Sequence, residues 1–208
     1  AYVRFLYAAP FAVLYLFSVK EVTGLPWPEP NLMFFVYCVA GGLSQIIFTA
    51  LLVWLFSFRN FAVGTTYSKT EVLQVAVLGF VLLGDTVTLI PSIAIAVAMV
   101  GVMAMSAGQA QITLGRLLSG LTEKSTLIGL TCGAFLGASV VFFRGASLVL
   151  GYEHGAWMPA AFSLTVAVVL QTIGMGVYLA ITERGTLRDV IVHWRWSLVV
   201  GLSGVLAS

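Results

Sequence analysis

Two ionisable residues, Lys69 and Glu71, lie in a stretch from residue 61 to residue 83 that is otherwise apolar enough to cross a lipid bilayer. Charged side chains at membrane depth have a high free-energy cost and commonly serve transport or proton transfer. A carboxylate can bind a cationic group or carry a coupling proton. An ammonium group can hold an anion or pair with a carboxylate on another helix. We therefore expect the chemistry of this chain to centre on these two residues.

Further polar side chains flank Glu71 at helical spacing. On an uninterrupted helix Ser68, Glu71 and Gln74 share one face because they are three residues apart, and Tyr67 lies close to that face. A polar face on a membrane helix predicts a cavity for water or solute. Lys69 points roughly opposite to Glu71, so the two charges need different partners. In the alternative, structural interpretation, Lys69 extends to the membrane interface and Glu71 bonds to a neighbouring helix.

Three other polar residues are weaker cavity candidates. Gln45 and Gln171 lie near the middles of apolar stretches, where an amide can either join two helices by hydrogen bonding or line a polar cavity. Arg144 lies near the end of its stretch, where a long side chain can reach the membrane interface.

Small residues recur at every fourth position in one later stretch, at Gly129, Gly133 and Gly137. This spacing lets a neighbouring membrane helix approach closely. We assign these glycines to helix packing and place no binding site there.

The sequence lacks the motifs of common enzyme and metal sites. No HExxH, GxSxG or Gly-rich phosphate loop occurs, and His154 and His193 fall between apolar stretches. Cys38 and Cys132 have no second Cys or His at metal-ligand spacing, so we expect two small buried side chains. We expect neither an enzyme nor a metal or other cofactor.

The composition is typical of a membrane protein. Hydrophobic residues make up 60% of the chain and charged residues 9%, compared with about 25% charged residues in soluble domains. The net charge of +2 is scattered and argues against a nucleic-acid partner. Apolar stretches near the ~20 residues that cross a bilayer predict an all-α, polytopic helix bundle. The expected spans are 1–19, 32–57, 61–83, 88–107, 126–150, 157–181 and 196–208.

The chain also carries signs of two halves. The longest polar interval in the middle of the chain is 108–125, and Gly42-Leu43-Ser44 recurs as Gly201-Leu202-Ser203. Duplicated helix bundles are common among secondary transporters. The first stretch has no initiator Met and the last is short, so we expect a chain cut at both ends.

The segment from Arg59 through Glu71, together with Leu83-Gly84-Asp85, resembles the EamA-type drug/metabolite transporters. In that family a helix pair ends in an acidic residue after Gly, and a carboxylate often precedes the following apolar run. Gly84-Asp85 and Glu71 match these two positions. The chain departs from the family pattern at Val72, where Pro is frequent, and at Asp85, where Glu is commoner.

The resemblance implies a ten-helix bundle of two five-helix inverted repeats that works by alternating access. Residues 1–107 would form the first repeat without its first helix, 108–125 the connection, and 126–208 a truncated second repeat. The implied function is secondary active transport, in the export direction, of a metabolite, amino acid or drug-like solute across the bacterial plasma membrane. The alternative is a non-transporting scaffold or receptor, in which the polar face only joins helices.

Overall fold

The computed structural model describes residues 2–58, 61–84, 89–109, 123–151 and 155–183, together with positions 185, 190, 192, 198 and 199. The described residues include seven α-helices. They are α1 (Tyr2–Thr23), α2 (Leu32–Leu55), α3 (Phe61–Ser68), α4 (Glu71–Leu83), α5 (Leu89–Gln109), α6 (Lys124–Val149) and α7 (Trp157–Thr182).

Five helical segments are long and apolar enough to cross a membrane. They are Tyr2–Thr23, Leu32–Leu55, Gly64–Leu83, Lys124–Val149 and Trp157–Thr182. Large apolar side chains such as Val22, Leu32 and Ile181 are exposed on these helices, and such surfaces suit lipid acyl chains better than water. The described residues are therefore all-helical, as predicted, and their five long apolar segments are compatible with a membrane helix bundle. Apart from positions 198 and 199, the predicted span at 196–208 lies outside the described residues, and so does most of the predicted connection at 108–125.

Local signals explain where α1 ends and α2 begins. The first helix runs past the predicted end at residue 19 and stops at Gly24, whose positive φ of 64° is a conformation that glycine adopts readily. Gly24 N–H donates to the carbonyl of Lys20 at 2.9 Å. Three prolines follow in the non-helical connection, and Asn31 then accepts the Phe34 N–H at 2.9 Å, as a helix N-cap does.

The chain divides into two compact units. Unit 1 comprises Ala1–Leu43 and Phe142–Ser208, and unit 2 comprises Ser44–Val141. Helices α2 and α6 each have one end in unit 1 and the other end in unit 2. The two sequence repeats expected at 1–107 and 126–208 stay a prediction.

In unit 1, α1 packs along α7 and polar side chains join neighbouring helices. The Thr165 hydroxyl, which has one proton to donate, lies 2.9 Å from the Ala12 carbonyl oxygen of α1 and 2.8 Å from the Ala161 carbonyl oxygen of its own helix. The hydroxyls of Ser147 and Ser163 lie 3.1 Å apart between α6 and α7. A cluster of buried apolar residues on α2 and α6, including Phe34 and Cys38, fills the interior beside these bonds.

Replacing Thr165 by valine tests the bond between α1 and α7. Thr165→Val should lower the free energy of unfolding in detergent by about 0.6 kcal/mol, the average for interhelical hydrogen bonds in a membrane protein. The matched control is Thr172→Val, because the Thr172 hydroxyl donates within α7, to the Val168 carbonyl at 2.8 Å. Equal losses in the two variants would contradict a stabilising role for the Ala12 contact.

Candidate functional site

The stretch predicted as one helix over 61–83 is two helices, α3 and α4, separated by Lys69 and Thr70. The prediction of an uninterrupted helix is therefore wrong at this point. Lys69 N–H donates to the Thr66 carbonyl at 3.2 Å, and Thr70 N–H donates to the Tyr67 carbonyl at 3.1 Å. These bonds reach back three residues, as in a 3₁₀ turn, instead of four. Residues 68–71 are called the seam below.

Hydroxyl side chains explain why the helix changes at the seam. Ser68 donates from Oγ to the Thr65 carbonyl, and Thr70 donates from Oγ1 to the Tyr67 carbonyl, both at 2.8 Å. Such bonds compete with the helical ladder for its carbonyls. The segment 64–70 also begins with glycine and contains three β-branched threonines, which have lower helix propensity than alanine or leucine.

The two charged residues of the seam lie at different helix ends. Lys69 directly follows the C-terminus of α3, and Glu71 is the first residue of α4. A helix C-terminus carries partial negative charge and an N-terminus partial positive charge. Lys69 therefore lies at a helix end of negative sign and Glu71 at one of positive sign. Lys69 is exposed and Glu71 is half-buried. The break thus gives both charges a local electrostatic reason to be tolerated within an apolar span.

Gln74 ties the seam to α6. Its Nε2 donates to Thr70 Oγ1 at 3.0 Å and to the Leu130 carbonyl at 3.4 Å. Its Oε1 is buried and accepts no hydrogen bond from any residue in the described part of the chain. Tyr67 and Ser68 are buried too, with 5% and 7% of their surface exposed. These two side chains therefore support the seam from inside unit 2 and do not form an open face in this conformation.

The three glycines of α6 lie directly against α3 and α4. A Cβ added at Gly129 would overlap the Gly64 carbonyl, and one at Gly137 would lie 3.3 Å from the Val75 nitrogen. A Cβ at Gly133 would lie 2.8 Å from the Ser68 carbonyl oxygen. At Gly129 and Gly133 a Cβ would force the backbone to shift, whereas at Gly137 the contact is tight but less severe.

The glycine stripe of α6 and the polar residues of the seam therefore lie against one another, which their separate patterns in the sequence did not predict. One signal could have joined them. Gly64 and Ser68 are four residues apart, as are Gly129 and Gly133, so two helices present small residues at the same spacing.

The weaker candidates fall elsewhere. Gln171 is 3% exposed, and its Nε2 donates to the Gly42 carbonyl at 3.3 Å, which favours the interhelical alternative over cavity lining. Arg144 is exposed in unit 1, and Gln45 is half-buried in unit 2.

The predicted character of the cysteines is confirmed, because Cys38 and Cys132 are free thiols that are fully buried. Within the described ranges, no three His, Cys, Asp or Glu side chains are grouped as a metal site would require.

No protein-family model matches the chain, and no curated protein or solved structure matches it either. The resemblance to EamA-type transporters therefore rests on the residues quoted for it. Of those, Arg59, Asn60 and Asp85 lie outside the described residues.

A single methyl group tests the contact between α3 and α6. Gly129→Ala should lower the free energy of unfolding by about 1–3 kcal/mol, the range for overpacking a tight interior, because the methyl must displace the Gly64 backbone. The control is Gly174→Ala in α7, where an added Cβ meets nothing within 4 Å. Thermal unfolding in detergent compares the two. Equal stability would contradict the close backbone approach.

Proposed function

We propose that this chain is a secondary active transporter of a small solute, with the seam as the place where solute or a coupling proton binds. One observation carries the proposal. The apolar span is interrupted between α3 and α4, with Lys69 directly after the end of α3 and Glu71 at the start of α4. In secondary transporters, substrate and ion sites are typically formed by discontinuous membrane helices whose ends face the ligand. The energy source is a proton or solute gradient, because the sequence has no nucleotide-binding motif.

Each residue of the seam region has a proposed role. Glu71 binds a cationic group or carries the coupling proton, since it is half-buried and ionisable. Lys69 holds an anionic group of the solute or pairs with a carboxylate on another helix. Gln74 has a buried acceptor oxygen available beside them, while Tyr67 and Ser68 hold the seam in place.

The broader proposal follows the family resemblance. It makes the chain an EamA-type member of the drug/metabolite transporters, built on a ten-helix plan of two inverted repeats. The family plan adds alternating access, export as the direction, and the bacterial plasma membrane as the location. What supports this step is the motif around Glu71 and Gly84, together with the apolar helices.

A scaffold or receptor that transports nothing is the second candidate, and a specific observation favours it. Gln74 bonds α4 to α6, Gln171 bonds α7 to α2, and glycines pack at the seam, so much of the polar chemistry already joins helices. Solute flux in proteoliposomes separates the two candidates, because a scaffold gives none above that of empty vesicles.

The ligand class is accessible through a thermal-shift screen of the protein in detergent against a metabolite library. A compound that binds only the native state raises apparent stability, by about 2.7 kcal/mol at a hundredfold excess over its Kd. A stabilising compound whose effect disappears in Glu71→Gln would identify the solute class and place it at the seam. Stabilisation that is equal in both proteins would place the solute elsewhere.

Glu71→Gln should abolish gradient-driven flux of the solute so identified while leaving membrane insertion intact, because glutamine keeps the shape of the side chain and cannot exchange a proton. Flux under an imposed pH gradient measures this. The matched control is Glu29→Gln, an exposed carboxylate in the connection after α1, which should transport as the unaltered chain does. Unchanged flux in Glu71→Gln would remove Glu71 from the mechanism.

A further inference from the structure

Gly133 is the glycine of the α6 stripe that makes the tightest contact with the seam. A Cβ built there would meet three heavy atoms: the Ser68 carbonyl oxygen at 2.8 Å, Gln74 Oε1 at 3.3 Å and the Glu71 backbone nitrogen at 3.4 Å. Two of these are backbone atoms of the first and last residues of the seam. Gly133 therefore touches both helix ends that flank Lys69.

The other two glycines of the stripe make different contacts. Gly129 meets the backbone of Gly64, inside α3 and before the seam. A Cβ at Gly137 would meet Val75 Cγ2 at 3.2 Å, the Val75 nitrogen at 3.3 Å and the Glu71 carbonyl oxygen at 3.5 Å, so its contacts are looser. A methyl group at Gly133 meets the seam more tightly, because the nearest atom is a backbone carbonyl oxygen at 2.8 Å. The Ser68 carbonyl would have to retreat by roughly half an ångström to reach an ordinary carbon–oxygen contact.

We propose that Gly133 is a positioning residue for Lys69 and Glu71: its bare Cα sets how closely the seam lies on α6, and so where the two charged side chains are held. Gln74 acts with it, since its amide donates to the Leu130 carbonyl of α6 and to Thr70 in the seam. The contact and the hydrogen bond fix the seam backbone on the same side. This inference rests on the proposed function for its transport measurement but not for its structural one.

The structural measurement is the rate at which a thiol reagent labels Lys69→Cys in the chain reconstituted in lipid vesicles. Lys69 is exposed, and the native Cys38 and Cys132 are fully buried, so labelling of the native chain gives a low background. Adding Gly133→Ala should change the labelling rate several-fold. Adding Gly101→Ala, where an added Cβ meets nothing within 4 Å, should leave the rate unchanged. Equal rates in the two double variants would overturn the proposal.

The transport measurement uses the solute found by the thermal-shift screen. Gly133→Ala should lower kcat/KM for flux about tenfold, since misplacing a working group by an ångström costs on the order of a hundredfold. It should also move the pH of half-maximal flux, which a general loss of folded protein would not do. Gly101→Ala should alter neither quantity. A lower flux with an unchanged pH profile would reduce Gly133 to a packing residue and overturn the proposal.

The two measurements separate failure of this inference from failure of the proposed function. A labelling change in a chain that transports no solute refutes the transporter and retains the positioning role. If Gly133→Ala does not insert, Gln74→Leu replaces it, because this change removes the bonds of the Gln74 amide to Thr70 and to the Leu130 carbonyl without adding an atom at Gly133. An unchanged labelling rate of Lys69→Cys in Gln74→Leu then overturns the inference.

Discussion

The backbone contact between α6 and the helices α3 and α4 is the constraint on which the rest of unit 2 depends. Lipid tails are as apolar as leucine side chains, so burial of apolar surface does little to bring membrane helices together, and close packing and hydrogen bonds do more. Gly129 against Gly64 and Gly133 against Ser68 supply the close packing. The same closeness brings Gln74 within reach of the Leu130 carbonyl.

The break between α3 and α4 packs against the glycine stripe of α6. Irregular backbone at membrane depth is tolerated only where protein covers it or where it lines a water-filled space. At the seam, bonds that reach back three residues and the hydroxyls of Ser68 and Thr70 satisfy part of the backbone. Gly133 of α6 covers the Ser68 carbonyl on one side.

The sequence predicts the apolar spans well because bilayer thickness fixes their length, and α1, α2, α6 and α7 all lie where hydropathy places them. Hydropathy cannot detect the break at Lys69 and Thr70, since the change depends on local competition between hydroxyls and backbone donors. The glycine stripe on α6 is visible in the sequence, but the helix that packs against it is known only from the tertiary structure. The role of Gln171 was open for the same reason, and the position of the Gly42 carbonyl favours interhelical bonding.

The packing of the seam on α6 does not use either charge. The atoms that meet Gly133 are a carbonyl oxygen, an amide nitrogen and an uncharged side-chain oxygen, and the bond to Leu130 comes from the Gln74 amide. A helix junction needs nothing more, and two ionisable side chains in an apolar span add desolvation cost without adding to these contacts. Lys69 is exposed and Glu71 half-buried beside a junction that is already held together. The scaffold interpretation thus accounts for Gln74 and the glycines, and the proposed transport would add a task for the two charges.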